Sequence, residues 1–223
     1  TDDRLRSILT ELVITDDWSV AVVEDATIAD LDPEAIEKAR KEYTKRNPFR
    51  KAEISAWDDT KFLDKAKITI NGKITRTALV LLGKEESEHL LTPYVACIRW
   101  SLREVGATQN KDYEILSMPL LLSVDKLYNK VRNVKYRLVR PDSMFPDEML
   151  RYDMFNIREP LNNAIAHQDY TKCARIEVVE YEDDHIIFQN YGTFLPESVE
   201  NVVTKDCPES VYRNRFLVEA MRN

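Results

Sequence analysis

Residues 152–170 carry two stripes of side chains at helical spacing, and this pattern constrains the fold more than any other stretch of the chain. The apolar stripe consists of Phe155, Ile157, Leu161, Ala164 and Ile165. On another stripe Glu159, Asn163 and His167 follow at intervals of four, so one face of a helix would present all three. A carboxylate, a carboxamide and an imidazole in one line fit the lining of a binding site. The alternative is that Asn163 and His167 are surface or capping residues, because such triples also arise by chance.

Length and composition describe a globular chain of one large domain or two small ones. The 223 residues are 43% hydrophobic and 32% charged, with a net charge of −7. This acidic balance argues against a chain that binds a nucleic-acid backbone by itself, although it leaves room for a local basic patch. Three widely spaced cysteines are typical of reduced thiols in a cytoplasmic protein, and no long apolar run predicts a membrane span.

Glycine is scarce, and this excludes the common phosphate-binding loops. Only Gly72, Gly83, Gly106 and Gly192 occur, so neither GxGxxG nor GxxxxGK[ST] is present. The phosphates of a bound nucleotide would therefore be held by other groups or by residues beyond this chain. The chain starts without a methionine, and residues 211–223 have the pattern of a helix cut off in progress, so we expect a piece of a longer protein.

The hydrophobic pattern predicts an α+β fold, with helices packed on a mixed, mainly antiparallel sheet. Asp32 and Pro33 mark the start of a helix that runs to Arg46, and Asn71-Gly72 predicts a tight hairpin turn. Residues 77–82 fit either a short buried helix or a strand. The remaining helices are predicted at 4–13, 57–66, 119–133, 152–170 and 211–223, and the strands at 18–23, 92–102, 113–116, 136–139, 175–181 and 185–190.

Two features raise the question of direct nucleic-acid binding. The helix, Asn-Gly turn and apolar run between residues 57 and 82 follow the order of a winged helix, but the recognition helix WDDTKFLDKA would be acidic at its start. The stretch EKARKEYTKR is heavily charged, and a solvated helix face is the favoured interpretation, with a nucleic-acid patch as the alternative. A stand-alone DNA binder is the least favoured hypothesis for this chain.

The order of REPLNNAIAHQDY, RIEVVEY, HIIFQNYGTFLP and YRNRFLVEAM resembles the ATP-binding module of a bacterial and archaeal family of transcriptional regulators. In that family an AlbA_2 (Schlafen-like) DNA-binding domain is followed by a divergent GHKL-type (Bergerat) ATPase fold. The resemblance implies a GHKL-like module at 150–223, cut short at its C-terminal end, a connecting α/β region at 31–149, and the end of a linker at 1–30. The AlbA_2 domain, and with it the contact to DNA, is expected to lie outside this chain.

The resemblance also implies roles for individual residues, with ATP and Mg²⁺ as cofactors. Glu159 would orient or deprotonate the attacking water, and the Asn163 amide oxygen would coordinate a Mg²⁺ that bridges the phosphates. His167, one turn further along the same helix, would also take part in binding the nucleotide. Asn190 would read the adenine amino group, and Gly192 would let the base approach the backbone.

Several positions depart from the family pattern, and each argues against ATP hydrolysis. Asn190 stands where an aspartate is usual, so its amide oxygen accepts a hydrogen bond without the charge. Phe194 replaces the second glycine of the motif, and no glycine-rich lid follows. Pro160 removes one backbone hydrogen bond beside Glu159. The resemblance therefore allows at most a weak ATPase.

Two hypotheses from different classes follow. In the first, the chain is a nucleotide-binding module that regulates the attached DNA-binding domain, and one pocket collects Glu159, Asn163, Asn190 and Gly192. In the second, it is a degenerate GHKL-like domain that binds no nucleotide and serves dimerisation or domain positioning. The second hypothesis predicts a pocket filled by side chains, with Tyr191 and Phe194 as candidates. In the tail HQDY of the helix, we interpret Asp169 as a hydrogen-bonding residue at the helix end and Tyr170 as a packing residue.

Overall fold

A computed structural model describes residues 17–139, 145–193, 195 and 212–223. Short 3-10 turns, at Trp18–Val20, Ile28–Asp30, Pro48–Arg50, Glu85–Leu91 and Tyr170–Lys172, lie between the longer elements. None of the helices in these ranges combines the length and the apolar composition that a membrane span requires. The helices are α1 (Pro33–Arg46), α2 (Lys51–Ser55), α3 (Asp59–Lys65), α4 (Arg76–Leu82), α5 (Leu120–Lys130), α6 (Met154–His167) and α7 (Arg215–Arg222).

The strands are β1 (Thr69–Ile70), β2 (Lys73–Ile74), β3 (Ile98–Arg103), β4 (Asp112–Leu116), β5 (Lys135–Leu138), β6 (Asp147–Leu150), β7 (Ile176–Tyr181) and β8 (Ile186–Gln189). The central sheet has the order β4-β3-β7-β8, while β1-β2 and β5-β6 form separate hairpins. β3 runs parallel to β7, and the two outer pairings are antiparallel. The predicted α+β class with a mixed, mainly antiparallel sheet is confirmed.

The two middle strands of the sheet come from distant parts of the sequence. β3 belongs to the segment 31–149 and β7 to the segment 150–223, and Ile98 pairs in register with Ile176. Both isoleucines are buried in a core that the helices also contribute to. The two segments distinguished in the sequence therefore share one sheet, and the 3-10 turn Tyr170–Lys172 connects α6 to β7 of this sheet.

Glu180 is the buried carboxylate of the central sheet. It accepts a hydrogen bond from the indole Nε1 of Trp100 at 3.0 Å and another from the backbone N–H of Arg132 at 3.1 Å. Buried charges need such partners because desolvation otherwise makes them costly. The two bonds fasten the end of α5 to the middle of the sheet.

Local chemistry accounts for the predicted element boundaries that are confirmed. The Asp32 carboxylate accepts from the backbone N–H of Ala35 at 3.0 Å and caps α1, which ends at Arg46 as predicted. In the β1-β2 hairpin, Asn71 and Gly72 have φ angles of 51° and 76°. Positive φ at both central residues is what a type I′ turn requires.

Residues 77–82 belong to a helix, which resolves the alternative left by the sequence. The Thr75 hydroxyl accepts from the backbone N–H of Ala78 at 3.1 Å and caps α4. All residues from 77 to 82 are buried. A helix that is apolar on every side lacks amphipathic periodicity, and for this reason the sequence pattern could not distinguish it from a buried strand.

Two predicted strands are wrong in whole or in part. The Asp17 carboxylate accepts from the backbone N–H of Ser19 at 2.9 Å and from its hydroxyl at 2.6 Å, so Trp18–Val20 forms a capped 3-10 turn where a strand over 18–23 was predicted. The strand predicted at 92–102 begins only at Ile98. The predicted helix at 4–13 lies outside the described residues.

Candidate functional site

α6 carries the predicted site residues, and one apolar face sets its orientation. Its N-terminus is capped by Asp153, whose carboxylate accepts from the backbone N–H of Asn156 at 2.8 Å. The helix continues through Pro160, and the buried face consists of Ile157, Leu161, Ala164 and Ile165. Phe155 was predicted on this face but is 60% exposed, because two residues before Ile157 a helix has turned it about 200° away.

Glu159 and Asn163 line a cleft between α1, α5, α6 and α7, with a volume of about 630 Å³. Both side chains are solvent-exposed, and neither has a hydrogen-bond or ion-pair partner within the part of the chain that the structure describes. The inner wall of the cleft is apolar and includes Leu121, Val124, Ile157 and Val218. An apolar wall with a few convergent polar groups is the usual construction of a small-molecule site.

The sequence analysis missed two further polar residues of α6. Arg158 and Asn162 also line the cleft, and in the described residues their side chains have no polar partner. They repeat the four-residue spacing of Glu159 and Asn163 one position earlier. The stretch REPLNN contains both polar pairs at the same spacing, so the second pair could have been predicted from the sequence together with the first.

Positive charge outweighs negative charge along the cleft. The lining cations are Lys38, Lys45, Arg46, Arg158 and Arg222, against the carboxylates Glu42, Asp125 and Glu159. Lys38 is paired with Asp125 at 2.5 Å, and Arg46 donates to the backbone carbonyls of Met221 and Arg222 at the end of α7. Arg158 stands on α6 without an ion-pair partner among the described residues.

His167 lies one turn beyond Asn163 and stands beside the cleft. Its ring stacks on Tyr212, a lining residue, with 5.2 Å between the ring centroids. Burial of the imidazole lowers its pKa, and the nearby Arg213 guanidinium lowers it further. The imidazole is therefore neutral at pH 7.

The loop after β8 is fastened to the C-terminal end of α6. The Gln168 side-chain oxygen accepts from the backbone N–H of Tyr191 at 2.8 Å, and the Asp169 N–H donates to the Tyr191 carbonyl at 2.7 Å. Asn214 donates from its side-chain amide to the carbonyls of Ala166 and Gln168 at 3.0 and 2.8 Å. These four hydrogen bonds join the helix end, the loop and the start of α7.

The predicted roles of the HQDY tail are confirmed. Asp169 accepts a hydrogen bond from the backbone N–H of Thr171 at 3.2 Å and so caps a 3-10 turn. Tyr170 is buried, and its ring stacks on Trp18 with 4.6 Å between the centroids. Its hydroxyl donates to the Ile165 carbonyl at 3.2 Å, so the buried hydroxyl group has a hydrogen-bond partner.

Gly192 sits where the Arg213 guanidinium approaches the loop. Its φ is 141°, and a Cβ at this position would lie 3.3 Å from the Nε and Nη2 of Arg213. Arg213 also donates to the Thr193 carbonyl at 3.1 Å and lies 3.6 Å from Asp169. The absence of a side chain at Gly192 therefore permits a close approach to its backbone, and the group that approaches is the Arg213 guanidinium of the same chain.

The predicted site residues fall into two groups. Glu159 and Asn163 both line the cleft, and His167 lies beside it, where its ring stacks on the lining residue Tyr212. Asn190 and Gly192 lie beyond the helix end and do not line this cleft; the Asn190 side chain is exposed and lies 3.4 Å from the Tyr191 carbonyl. Tyr191 is itself 52% exposed, and Phe194 lies outside the described residues.

The oxygen donors at the cleft could bind Mg²⁺ only together with ligands from phosphate and water. Among the described residues there is no group of three His, Cys, Asp or Glu side chains that could hold a metal ion by themselves. The exposed Asn163 amide and the Glu159 carboxylate offer hard oxygen donors at the cleft. Mg²⁺ commonly takes one or two protein oxygens and completes its shell with phosphate and water, which is the role that these residues could support.

Comparisons with known proteins bear on the fold and leave the function open. Residues 6–98 match a family described as a domain of unknown function, DUF8451. A crystal structure of the DIP2311 protein from Corynebacterium diphtheriae is similar over 97% of this chain, with a TM-score of 0.70 and 19% sequence identity. The chain spans 42% of the length of that protein, and the similarity concerns the fold alone. No curated protein matches the sequence.

Proposed function

We propose that this chain is the ATP-binding module of a bacterial or archaeal transcriptional regulator, where it couples nucleotide binding to an attached DNA-binding domain. The observation that carries the proposal is the pair Glu159 and Asn163, which line a cleft of about 630 Å³ without partners among the described residues. This volume lies within the usual range of small-ligand pockets. The pair also has the four-residue spacing of the family motif that the sequence resembles.

The cleft residues suggest how the ligand would be held without a glycine-rich loop. The Asn163 amide oxygen would help to hold Mg²⁺, which would supply positive charge against the phosphates. Arg158 and Arg222, both on the cleft lining, would bind phosphate oxygens. Glu159 would orient a water molecule, which makes a weak ATPase activity part of the same proposal.

The regulator would act in the cytoplasm. Cys97 and Cys173 are free cysteines, which agrees with a reducing compartment. Burial raises the pKa of the Cys97 thiol to about 11, so this cysteine is a poor nucleophile and is protected from oxidation. Contact with duplex DNA would belong to the attached domain, because the chain itself carries a net charge of −7.

A second candidate function has its own support. In the degenerate domain without nucleotide, the Arg213 guanidinium beside Gly192 would occupy the space that an adenine base needs. The β5-β6 hairpin exposes Tyr136, Leu138 and Met149, of which Tyr136 and Met149 pair across the strands. An apolar hairpin face of this kind fits the use of the domain in a homodimer.

The deciding experiment is calorimetric titration of the chain with ATP, with and without Mg²⁺, alongside Asn163→Ala. We expect binding that requires Mg²⁺ and weakens at least tenfold in the variant. Asn156→Ala is the matched control, because Asn156 is exposed on the same helix and does not line the cleft. Absence of ATP binding, or equal binding by both variants, would reject the nucleotide proposal. A dimer in sedimentation that binds no ATP would support the second candidate.

A further inference from the structure

Phe49 is fully exposed at the tip of the 3-10 turn Pro48–Arg50, which joins α1 to α2. Between residues 38 and 67 it is the only large hydrophobic side chain that is exposed. An aromatic ring that contributes nothing to the core loses the hydrophobic stabilisation that burial would give. Its exposure beside charged residues therefore suggests a binding role.

The surroundings of Phe49 are basic in a chain that is acidic overall. Residues 38–67 contain ten Lys or Arg and five Asp or Glu, a net charge of +5 in a chain whose total is −7. Lys51 and Lys65 are exposed and have no ion-pair partner among the described residues. The charge is thus segregated, and part of it is free for an anionic partner.

Trp57, in the connection between α2 and α3, brings two further cations together. The Arg50 guanidinium lies over the Trp57 ring, 5.2 Å from its centroid, and the Lys61 ammonium lies 5.8 Å from the same centroid. Arg50 also pairs with Glu53 at 2.9 Å. We name Phe49, Arg50, Lys51, Lys61 and Lys65 the Phe49 surface.

The carboxylate within this surface does not cancel its attraction for anions. Glu53 accepts from Arg50, and this hydrogen bond, followed by the charges of Arg50, Lys61 and Lys65, lowers the pKa of Glu53. One carboxylate is therefore shared by three cations. Exposed ion pairs are worth little in water, so Arg50 can exchange Glu53 for a phosphate at small cost.

We propose that the Phe49 surface binds single-stranded nucleic acid, with the Phe49 ring stacked on an unpaired base and the cations on the phosphates. Stacking needs an exposed aromatic side chain and the strand's phosphates need positive charge nearby, and this surface offers both. A membrane partner would need a broad apolar face, and Phe49 has no exposed apolar neighbour in this segment. A duplex hides its bases from the ring, so single strands are favoured over duplexes.

The proposal is independent of the ATP site, because none of the five residues of the Phe49 surface lines the cleft. It also differs from the predicted contact to duplex DNA through an attached domain. Nucleic-acid binding was considered from the sequence for the charged stretch on α1 and for the helix at 57–66, but not for Phe49. The exposure of Phe49 at the turn after α1 distinguishes this surface from an ordinary solvated helix face.

The test is fluorescence anisotropy of a labelled single-stranded oligonucleotide titrated with the full chain at about 50 mM salt, where phosphate contacts are strong. We expect Phe49→Ala to weaken binding roughly tenfold, the loss typical of one stacked base. Phe49 is exposed, so this variant keeps the fold. The paired substitution Lys51→Glu and Lys65→Glu should weaken binding and reduce the slope of log affinity against log salt by about 1.4.

The matched control is Lys126→Glu with Lys172→Glu, which makes the same change in net charge at two exposed lysines elsewhere. It should retain most of the binding, while a duplex of equal length should bind more weakly than the single strand. Equal losses in the two double variants, or an unchanged affinity of Phe49→Ala, would overturn the proposal. Preference for phosphatidylserine vesicles over the oligonucleotide would overturn it in favour of a membrane partner.

Discussion

The middle and the C-terminal end of α6 differ in how their polar groups are used. In the middle, Glu159 and Asn163 face the cleft without a partner among the described residues. At the end, Gln168 and Asp169 bind the loop after β8, and Asn214 binds the helix from α7. A single helix therefore has one stretch of free polar side chains and one stretch in which polar groups are bonded within the chain.

This difference separates a candidate ligand site from a structural joint. Buried polar groups must be hydrogen-bonded, and their loss lowers stability. Exposed polar groups without partners add little to stability, so the loss of one of them should cost little. The distinction predicts a large loss of stability from an Asn→Ala substitution at the joint and a small change from the same substitution at the cleft.

The largest effect is expected from Asn214→Ala, which removes the hydrogen bonds to the carbonyls of Ala166 and Gln168. Both carbonyls lose a buried partner, so the free energy of unfolding should fall by about 2–3 kcal/mol. Urea denaturation monitored by tryptophan fluorescence measures the change. Asn163→Ala is the matched substitution in the cleft and should alter stability by less than about 0.5 kcal/mol. Similar losses in the two variants would remove the distinction between joint and site.

A smaller effect is expected from Gly192→Ala. The alanine would adopt a φ of 141° and bring its Cβ to 3.3 Å from Arg213, so stability should fall by about 1–2 kcal/mol. Gly106→Ala is the control, because Gly106 has a φ of 81° but no heavy atom within 4 Å of an added Cβ. Repeating Gly192→Ala in an Arg213→Ala background isolates the contact with Arg213, because the φ of 141° is kept and the guanidinium is removed. Equal losses would mean that backbone strain alone requires the glycine and that the approach of Arg213 has no energetic weight.

Sequence reasoning was most successful where short-range chemistry decides the structure. The Asp32 cap, the Asn71-Gly72 turn and the strand β7 each depend on neighbouring residues, and all three are confirmed. The parallel pairing of Ile98 with Ile176 depends on a contact across most of the chain, which no local pattern encodes. Where a single side chain competes with propensity, as Asp17 does before Trp18, the local pattern was misleading.

The site was predictable in part for the same reason. The spacing of Glu159 and Asn163 fixes their common helix face, whatever surrounds the helix. The other walls of the cleft come from α1, α5 and α7, whose arrangement depends on tertiary packing. Arg213 and Gly192 are about 20 residues apart in the sequence, and nothing in either residue type predicts that they lie in contact.

The smallest effect is a pH dependence of stability from His167, which stands between the free and the bonded stretch of α6. Its pKa in the folded protein is lowered by burial and by Arg213, so as pH falls below the ordinary value of about 6.5 the unfolded chain takes up the proton first. Its contribution is therefore complete above pH 6.5 and is lost as pH falls toward the lowered folded pKa. Urea midpoints measured from pH 7.5 to 5 should fall less steeply for His167→Gln than for the unaltered chain. If His167→Gln leaves this slope unchanged, the imidazole belongs with the free side chains of the cleft and not with the joint.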